Sequence, residues 1–327
     1  MALTPVMTVM VRQPKKPRVK LTNIAYGEIN KARSAIPRPV LPRPELSHVP
    51  VNERYKVVAW NVNGLRALLE RRPGLLLKLW NEEKVDVLGL MEIKTSGPAA
   101  VQTNVEQQLF ELLGDDVTFF WNPGQVKGYA GTLVLMRPVL KDRLLSVEFG
   151  SDTEGRVITL RFCNTCVVVA YVPNSGMHLR RLSMRLTQWD VELSNHCLEL
   201  GRTAKYGVIL AADMNCARRD VDIWNLEQPA ILKGAGTTLE ERASFKTCYI
   251  DKGLRDTFAD TYPSETGCFS YWSIRAKNRP LNRGLRLDYV LTDGKAEILE
   301  SFILFDYAQT GDHCPVGVTC RIPLLDL

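Results

Sequence analysis

Short apolar runs that end on polar residues recur along most of this 327-residue chain. Runs of this length, rich in β-branched and aliphatic residues, are typical of buried strands. The polar residues that follow six of these runs are Asn61 and Asn63, Glu92, Tyr171 and Asn174, Asp213 and Asn215, Asp288, and Asp312 with His313. Rigid strands position side chains well, so these residues can form one site if their strand ends share an edge. We therefore predict sheets whose common edge carries a functional site.

Helical segments separate the predicted strands. We predict helices at 65–80, with a break at Pro73-Gly74, and at 104–114, 179–200 and 239–249. We predict strands at 56–60, 85–90, 117–121, 132–136, 156–161, 166–172, 208–212, 269–274, 285–291 and 316–320. The two halves share this layout without a residue-level repeat. The pattern predicts an α/β fold of two sheets packed face to face with helices outside.

Residues 1–50 differ in composition from the rest of the chain. They contain eight of the eighteen prolines, and they carry a net charge of +7, whereas residues 51–327 carry −1. We expect a disordered basic extension over 1–50 and a folded domain over 51–327. The run at 15–20 (KKPRVK) is compatible with a nuclear address, a nonspecific nucleic-acid arm or a solvated charged tail. We expect a nuclear protein, with a mitochondrial transit peptide as the alternative.

The cysteines and the hydropathy pattern limit the class of protein. Eight cysteines at irregular spacing are typical of reduced thiols, and a zinc or redox site at Cys163 and Cys166 is the less favoured interpretation. No apolar run is long enough for a bilayer, so we expect an intracellular protein without a membrane partner.

The polar residues at the strand ends favour phosphate chemistry. Several hard oxygen donors without paired cysteines or an HxxxH motif favour Mg²⁺, for which Mn²⁺ can substitute. Amides and a histidine can bind phosphate oxygens, and the whole set suits hydrolysis of a phosphodiester by activated water.

Each residue also has a structural interpretation. Asn61 could cap the next helix, and Tyr171 could be ordinary core. Glu92 and Lys94 could form a solvated strand end, and Asp288 could pair structurally with Arg286 or another base. Arg66 and Arg156 could be surface ion-pair partners.

Eight stretches, which occur in order within residues 55–322, resemble the exonuclease III type of apurinic/apyrimidinic endonuclease, within the endonuclease/exonuclease/phosphatase superfamily. The stretches are WNVNGLRA at 60–67, EIK at 92–94, GYAG at 128–131, EGRV at 154–157, AYVPNSG at 170–176, ADMN at 212–215, RLDY at 286–289 and GDHCP at 311–315. The resemblance implies a four-layered α/β sandwich. It also implies cleavage of double-stranded DNA 5′ to an abasic site, which leaves a 3′-hydroxyl.

The resemblance implies roles for the residues at the strand ends. Glu92 would be the principal metal ligand, with Asn63 and Asp312 close to the ion. Asp213 would position or deprotonate the attacking water, with support from Asn215. His313, oriented by Asp288, would contact the scissile phosphate. Asn174 and Tyr171 would contact it as well, and Asn61 would support the active site.

The resemblance also implies a DNA-binding surface and a pocket for the bare sugar. The side chains that would grip DNA are Arg66, Lys94, Tyr129, Arg156, Arg181 and Met177. Tyr271, Leu285 and Leu287 would form the abasic pocket, and Trp272 could instead belong to the core. The chain departs from well-known relatives at several positions. It has Ala59 where they have cysteine, Asn63 where some have aspartate, Met91 where they have glutamine, Met177 where they have arginine, and Leu285 where they have tryptophan.

We therefore expect a Mg²⁺-dependent abasic-site endonuclease of base-excision repair, which also trims 3′ ends as a phosphodiesterase or exonuclease. We expect a monomer that can meet other base-excision-repair proteins. The alternatives are another phosphoesterase of the superfamily, such as a retroelement endonuclease or a phosphoinositide phosphatase, and an inactive DNA-binding relative.

Overall fold

Two six-stranded β-sheets pack face to face, and helices cover the outer face of each. The computed structural model describes residues 35–95, 99–115, 117–309 and 311–322. Both sheets contain parallel and antiparallel pairs. This arrangement is a four-layered α/β sandwich, so the predicted fold class is confirmed.

The first sheet combines strands from both ends of the described chain, and the second sheet is formed by strands from the middle. In chain order the strands are β1 (Arg54–Asn61), β2 (Val87–Met91), β3 (Thr118–Asn122), β4 (Thr132–Met136), β5 (Leu144–Phe149), β6 (Val157–Phe162), β7 (Cys166–Tyr171), β8 (Val208–Asp213), β9 (Arg255–Asp256), β10 (Asp288–Thr292), β11 (Glu297–Ile303) and β12 (Val316–Arg321). The strand order is β11-β12-β1-β2-β4-β3 in the first sheet and β5-β6-β7-β8-β10-β9 in the second.

Most helices lie on the outer faces of the sheets, whereas Thr257–Thr261 contributes Phe258 to the core between the sheets. The helices are α1 (Leu65–Arg71), α2 (Pro73–Glu82), α3 (Ala99–Leu113), α4 (Leu182–Met184), α5 (Asp190–Thr203), α6 (Leu239–Phe245) and α7 (Thr257–Thr261). A π-helical turn, Arg185–Trp189, joins α4 to α5, and another, Lys246–Ile250, extends α6. The predicted break at Pro73-Gly74 is confirmed, because α1 ends at Arg71 and Pro73 begins α2.

The main apolar core lies between the sheets. Along β1, Val57 and Ala59 pack between the sheets, whereas Val58 and Trp60 pack with the helices α1 to α3. A methyl group on Gly89 of β2 would lie 2.5 Å from a methyl carbon of Val169 on β7. Glycine therefore allows the two sheets to approach closely at this point.

The strand directions bring the polar strand ends together. In the first sheet β1 runs parallel to β2 and antiparallel to β12, so the ends of β1 and β2 lie beside the start of β12. In the second sheet Asp213 pairs in register with Tyr171 on parallel β7 and with Asp288 on antiparallel β10. Each sheet therefore carries its predicted polar residues along one edge.

The structure differs from the prediction at several elements. The predicted strand at 269–274 is wrong, because its only pairings among the described residues are isolated bridges from Tyr271 to Leu285 and His313. Sequence reasoning missed β5 and β11, which mix polar and apolar residues instead of forming a continuous apolar run.

The body begins earlier than the sequence suggested. Its first residue is Ile36, whose backbone N–H donates to Leu281 O at 3.0 Å. Arg43 binds Glu83 Oε2 at 2.8 Å, although no helix or strand forms over residues 36–50. The boundary between the extension and the folded body therefore lies at residue 35 and not at residue 50. Composition did not reveal it, because composition does not report contacts between distant residues. The predicted disorder of residues 1–34, and the basic run within them, lie outside the described residues.

Within the described ranges, no helix has both the length and the hydropathy needed to cross a bilayer.

All eight cysteines lie in the described ranges, and each is a free thiol. Cys163 is exposed and donates to Arg143 O at 3.3 Å, whereas Cys166 is buried in β7. The pair therefore forms no disulfide, in line with the expectation of reduced cysteines.

Candidate active site

Asn61 joins the two sheets at the floor of the site. Its Nδ2 donates to Glu92 Oε1 at 2.9 Å and to Asp213 Oδ2 at 2.8 Å. Tyr171 donates its hydroxyl to the same Glu92 oxygen at 2.7 Å. Asn61 is fully buried and does not cap α1, whose N-cap is Gly64 without a side-chain hydrogen bond. Side chains from the ends of four strands thus form one hydrogen-bonded floor.

His313 lies between two carboxylates of the second sheet. Its Nδ1 lies 2.7 Å from Asp288 Oδ2, and its Nε2 lies 3.9 Å from Asp213 Oδ2. Asp288 is itself fixed by Ser270, whose Oγ accepts the backbone N–H groups of Leu287 and Asp288, each at 3.0 Å. The predicted orientation of His313 by Asp288 therefore matches the geometry, and Ser270 is a support that the sequence did not reveal.

Burial and charge shift the pKa values of this group. Burial would lower the pKa of His313, but the charges of Asp288 and Asp213 outweigh it and raise the pKa to about 10. Burial, together with repulsion from Asp288, raises the pKa of Asp213 to about 7. At neutral pH a charged imidazolium thus lies beside a carboxyl group that can exchange a proton.

A pair of amides extends the floor on the second sheet. Asn174 Nδ2 donates to Asn215 Oδ1 at 2.9 Å, and Asn215 Nδ2 donates to Val172 O at 2.9 Å. The backbone N–H of Asn215 donates to Asp213 Oδ1, also at 2.9 Å. Asn215 is buried and Asn174 is exposed. Asn215 therefore fixes both neighbours, and the second amide proton of Asn174 remains available to a ligand.

Three predicted metal ligands lie together on the first sheet. Lys94 Nζ lies 2.9 Å from Glu92 Oε2 and also donates to Asn63 Oδ1. Asn63 Nδ2 donates to Asp312 Oδ1 at 3.1 Å. An ammonium group thus contacts two of the three side chains. Because the donors are hard oxygens, the residues fit Mg²⁺.

A second group of possible ligands is chemically less suitable. Asp213, Asp288 and His313 each offer a donor atom, and these atoms lie within 4.8 Å of one another. A metal ligand must be deprotonated, whereas His313 bonds to Asp288 and its pKa is raised to about 10. The oxygens of Glu92 and its neighbours are therefore the better metal site.

The protonation states of Glu92 and Tyr171 follow from their contacts. Burial would raise the pKa of Glu92, but the Lys94 charge and hydrogen bonds from Asn61 and Tyr171 hold it below its ordinary value. Burial and the carboxylates of Glu92 and Asp213 raise the pKa of Tyr171 well above its ordinary value. Glu92 is therefore ionised at neutral pH, and Tyr171 is a neutral hydrogen-bond donor.

Most of the predicted DNA-binding side chains are accessible to solvent. Arg66 and Met177 are exposed, and the exposed fraction of Met177 is 75%. Lys94, Tyr129 and Arg181 are partly exposed, and Arg181 Nη1 donates to the Tyr129 hydroxyl at 2.7 Å. These side chains can meet a large ligand at the surface.

Arg156 does not belong to this surface. It is only 1% exposed, and its guanidinium carbon lies 4.4 Å from the centre of the Tyr171 ring. Its nitrogens donate to Tyr171 O at 3.0 Å, to the Tyr129 hydroxyl at 3.0 Å and to Glu154 Oε2 at 2.6 Å. The predicted grip on DNA is not supported, because burial and these bonds keep the guanidinium away from solvent. Arg156 instead holds Tyr171 in place.

An apolar cluster lies beside His313 at the predicted sugar pocket. The ring centroids of Tyr271 and His313 are 5.0 Å apart, and Leu285 and Leu287 pack in the same cluster as Tyr271. The other members of the cluster are Ala217, Ile223, Leu226 and Ile231. Sequence reasoning missed them because they lie in an irregular segment without hydrophobic periodicity. Trp272 belongs to the core between the sheets, as the alternative interpretation had it.

The backbone of the site is strained at four positions. Asn63, Glu92, Lys94 and Asn215 have φ values of 49°, 52°, 55° and 46°. Such left-handed conformations of residues other than glycine cost on the order of 1–3 kcal/mol each. Strain of this kind concentrates at functional sites, where it aims side chains that an ordinary turn would not.

Arg286 supports the site from the core. It binds Asp222 Oδ1 at 2.9 Å and Asp256 Oδ2 at 2.7 Å, and all three side chains are buried. Arg286 does not pair with Asp288, so that interpretation is wrong. Asp288 is therefore left to His313.

Comparisons with known proteins agree with this geometry. A model described as the Endonuclease/Exonuclease/phosphatase family matches residues 58–313. An exodeoxyribonuclease of Bacillus subtilis is 35% identical over 273 residues, which cover 82% of this chain and 100% of that protein. A DNA-(apurinic or apyrimidinic site) endonuclease of Dictyostelium discoideum is 30% identical over 273 residues, which cover 80% of this chain and 70% of that protein. An AP endonuclease of Leishmania major of known structure has a TM-score of 0.76 at 28% identity and covers 92% of this chain and 99% of its own.

Proposed function

Because this chain belongs to the endonuclease/exonuclease/phosphatase family, we propose that it is a Mg²⁺-dependent nuclease of DNA repair that cuts double-stranded DNA at abasic sites. It hydrolyses the phosphodiester 5′ to the abasic sugar and leaves a 3′-hydroxyl. The observation that carries this proposal is the hydrogen-bonded floor, in which Asn61 links Glu92 to Asp213 between the two sheets.

The charged and neutral donors of the floor suit the scissile phosphate. The His313 imidazolium binds a non-bridging oxygen, and Asp288 keeps it charged and oriented. Asn174 donates a further hydrogen bond to the phosphate, and Tyr171 turns its single O–H from Glu92 to the phosphate when DNA binds. Fixed donors of this kind stabilise the negative charge that develops in the transition state.

Asp213 handles the attacking water. Its raised pKa of about 7 lets the carboxylate accept a proton near neutral pH. The Asn215 N–H and Asn61 Nδ2 each bind one of its oxygens, so its orientation is fixed.

Glu92, Asn63 and Asp312 would hold Mg²⁺, for which Mn²⁺ can substitute. A metal ion at these residues would supply positive charge against the negative charge of the phosphate. The ammonium of Lys94, which contacts Glu92 and Asn63, moves aside or turns to a DNA phosphate.

The apolar cluster selects the lesion. A flipped abasic sugar fits against Tyr271, Leu285 and Leu287, whereas an intact nucleotide requires room for its base. Arg66, Tyr129 and Arg181, together with Lys94 and Met177, position the DNA backbone across the site.

A second activity at the same site is the removal of nucleotides or blocking groups from 3′ ends. The name of the Bacillus subtilis relative, exodeoxyribonuclease, favours it. Leucine at position 285, where tryptophan stands in well-known relatives, also favours a less selective pocket.

We also propose that the chain acts as a monomer in the nucleus, alongside other base-excision-repair proteins. The basic run at 15–20 supports a nuclear address. A fluorescently tagged full chain and a version without residues 1–34 test this address. Nuclear exclusion of the full chain, or accumulation in mitochondria, contradicts it.

A duplex with one tetrahydrofuran site, incubated with and without Mg²⁺, tests the proposed function. We expect one nick, 5′ to the tetrahydrofuran, only with the metal. Cleavage of an undamaged duplex at the same rate contradicts the proposal. Release of phosphate from inositol lipids instead identifies another phosphoesterase.

A further inference from the structure

A buried cation lies behind the two amides of the site. Arg185 is only 1% exposed, and its guanidinium points at the backbone that follows β7 and β8. Its Nη1 donates to Asn215 O at 2.7 Å and approaches Pro173 O at 3.4 Å, and its Nη2 donates to Met214 O at 2.5 Å. One side chain thus holds three carbonyl groups on two separate strand ends.

Glu241 connects the same loops from a different helix. This carboxylate is fully buried in α6, and its Oε1 lies 3.4 Å from Arg185 Nη1. The same oxygen accepts the Ser175 hydroxyl at 2.5 Å. Its other oxygen accepts the backbone N–H of Gly236 at 2.7 Å and the Thr238 hydroxyl at 2.8 Å. The carboxylate therefore ties the loop after β7 to the start of α6.

The anchored loops carry Asn174 and Asn215. Asn174 follows Pro173 directly, and Asn215 follows Met214 with a left-handed φ of 46°. The two amides bond each other at 2.9 Å, so a shift of either loop breaks their contact. The position of both amides therefore depends on the carbonyl groups that Arg185 holds.

We propose that Arg185 and Glu241 are a pair of positioning residues, which hold Asn174 and Asn215 at the distance that the scissile phosphate requires. The inference rests on the proposed function of the site. Neither residue belongs to the eight stretches that carry the family resemblance, and neither touches the reacting groups.

The chemistry of the pair explains why an arginine is needed. A planar guanidinium can reach several carbonyl groups at fixed angles, whereas an ammonium group is a single point charge. Burying a charge without a partner is costly, and Glu241 and Asp190, the latter 3.8 Å from Arg185 Nε, supply the opposite charge. Arg185 also begins the π-helical turn Arg185–Trp189, and such turns occur frequently at functional sites.

The first experiment measures single-turnover cleavage of the tetrahydrofuran duplex by Arg185→Lys and Glu241→Gln, with Arg202→Lys, an exposed arginine of α5, as the control. We expect both test variants to lose about 10- to 100-fold in rate at saturating DNA, with little change in DNA affinity. We expect the control to keep the wild-type rate. A wild-type rate for Arg185→Lys, or a loss seen only in DNA affinity, overturns the proposal.

A double-mutant cycle separates positioning from general destabilisation. If Arg185 acts through Asn174, the Arg185→Lys substitution loses most of its effect in an Asn174→Ala background. Additive losses in the double variant overturn the proposal. A thermal melt of each variant checks that it is folded. If Arg185→Lys does not fold, Glu241→Gln, which keeps the side-chain shape, replaces it in the cycle.

Hydrogen–deuterium exchange tests the same inference without activity. We expect peptides that contain residues 173–176 and 213–217 to exchange faster in Arg185→Lys than in wild type. Unchanged exchange at both segments overturns the positioning role. A wild-type protein that fails to nick the duplex refutes the proposed function instead, and the exchange experiment still reports on the loops.

Discussion

The hydroxyl of Tyr171 donates to Glu92 Oε1 at 2.7 Å and so links the ends of two strands from different sheets. Burial and neighbouring carboxylates raise the pKa of this phenol well above its ordinary value. Tyr171 therefore acts as a neutral donor, and a phenolate nucleophile is disfavoured at neutral pH.

Replacing Tyr171 with phenylalanine tests this assignment. We expect Tyr171→Phe to lose about 10²- to 10³-fold in single-turnover cleavage, because the O–H that holds Glu92 and can turn to the phosphate is removed. The shape of the pH profile is expected to stay the same, since a neutral phenol does not titrate in the working range. A variant profile that lacks a titration seen in the wild type contradicts the assignment.

The proton-accepting role of Asp213 predicts a pH dependence. Its pKa is raised to about 7, and only the deprotonated carboxylate can accept a proton from water. The cleavage rate is therefore expected to rise as pH increases through about 7 and to level off above it. Single-turnover rates at saturating DNA and Mg²⁺ check this.

The matching variant is Asp213→Asn, which keeps the shape of the side chain. We expect it to lose about 10³-fold in rate and to lose the rise near neutral pH. The same rise in Asp213→Asn would assign the titration to another group.

The metal site predicts a specific rescue. Glu92→Gln removes the charge of the proposed principal ligand, so we expect half-maximal cleavage to require at least about tenfold more Mg²⁺. High Mg²⁺ is expected to restore part of the rate. Glu240→Gln changes an exposed glutamate of α6 and should leave the Mg²⁺ dependence unaltered. An unchanged Mg²⁺ requirement in Glu92→Gln removes Glu92 from the metal site.

The buried arginine beneath the site predicts a stability effect. Arg286→Met removes the buried partner that Asp222 and Asp256 share and leaves each with one partly exposed arginine, so we expect the free energy of unfolding to fall by about 3–5 kcal/mol. Denaturant unfolding at neutral pH measures it. Arg255→Met, which removes an exposed ion pair with Asp260, is expected to change stability by less than about 1 kcal/mol. Equal effects of the two substitutions contradict this account.

The same ion pair predicts a loss of stability in acid. Burial would raise the pKa of Asp256, but Arg286 and Arg218 hold it well below its ordinary value. The carboxylate therefore contributes stability above about pH 4, and this contribution is lost as pH falls further. We expect the free energy of unfolding of Arg286→Met, measured by denaturant unfolding below about pH 4, to fall less steeply with pH than that of the wild type. An equally steep fall would assign the acid sensitivity to other groups.

The strand ends of the site could be predicted because apolar runs and their last residues are local in sequence. Asn61, Glu92, Tyr171 and Asp213 follow such runs, and the structure joins them in one floor. The parallel pairing of the strands that carry them places those ends at one edge. A pattern of this kind depends only on neighbouring residues.

Contacts across the fold could not be predicted in this way. Arg156 has a charge that suits DNA, yet packing against Tyr171 buries it. Arg185 and Glu241 are 56 positions apart, and only the packing of α6 brings them together. The apolar cluster around Leu287 includes residues from an irregular segment, where no periodicity marks a side chain as buried.

The central claim is that His313 binds the scissile phosphate as an imidazolium held by Asp288. Its direct test is the single-turnover rate on the tetrahydrofuran duplex for His313→Ala and for His196→Ala, a control histidine that bonds Thr159 outside the site. We predict that His313→Ala loses about 10³-fold in rate at saturating DNA and Mg²⁺, whereas His196→Ala keeps the wild-type rate. A near-normal rate for His313→Ala would contradict the role assigned to it.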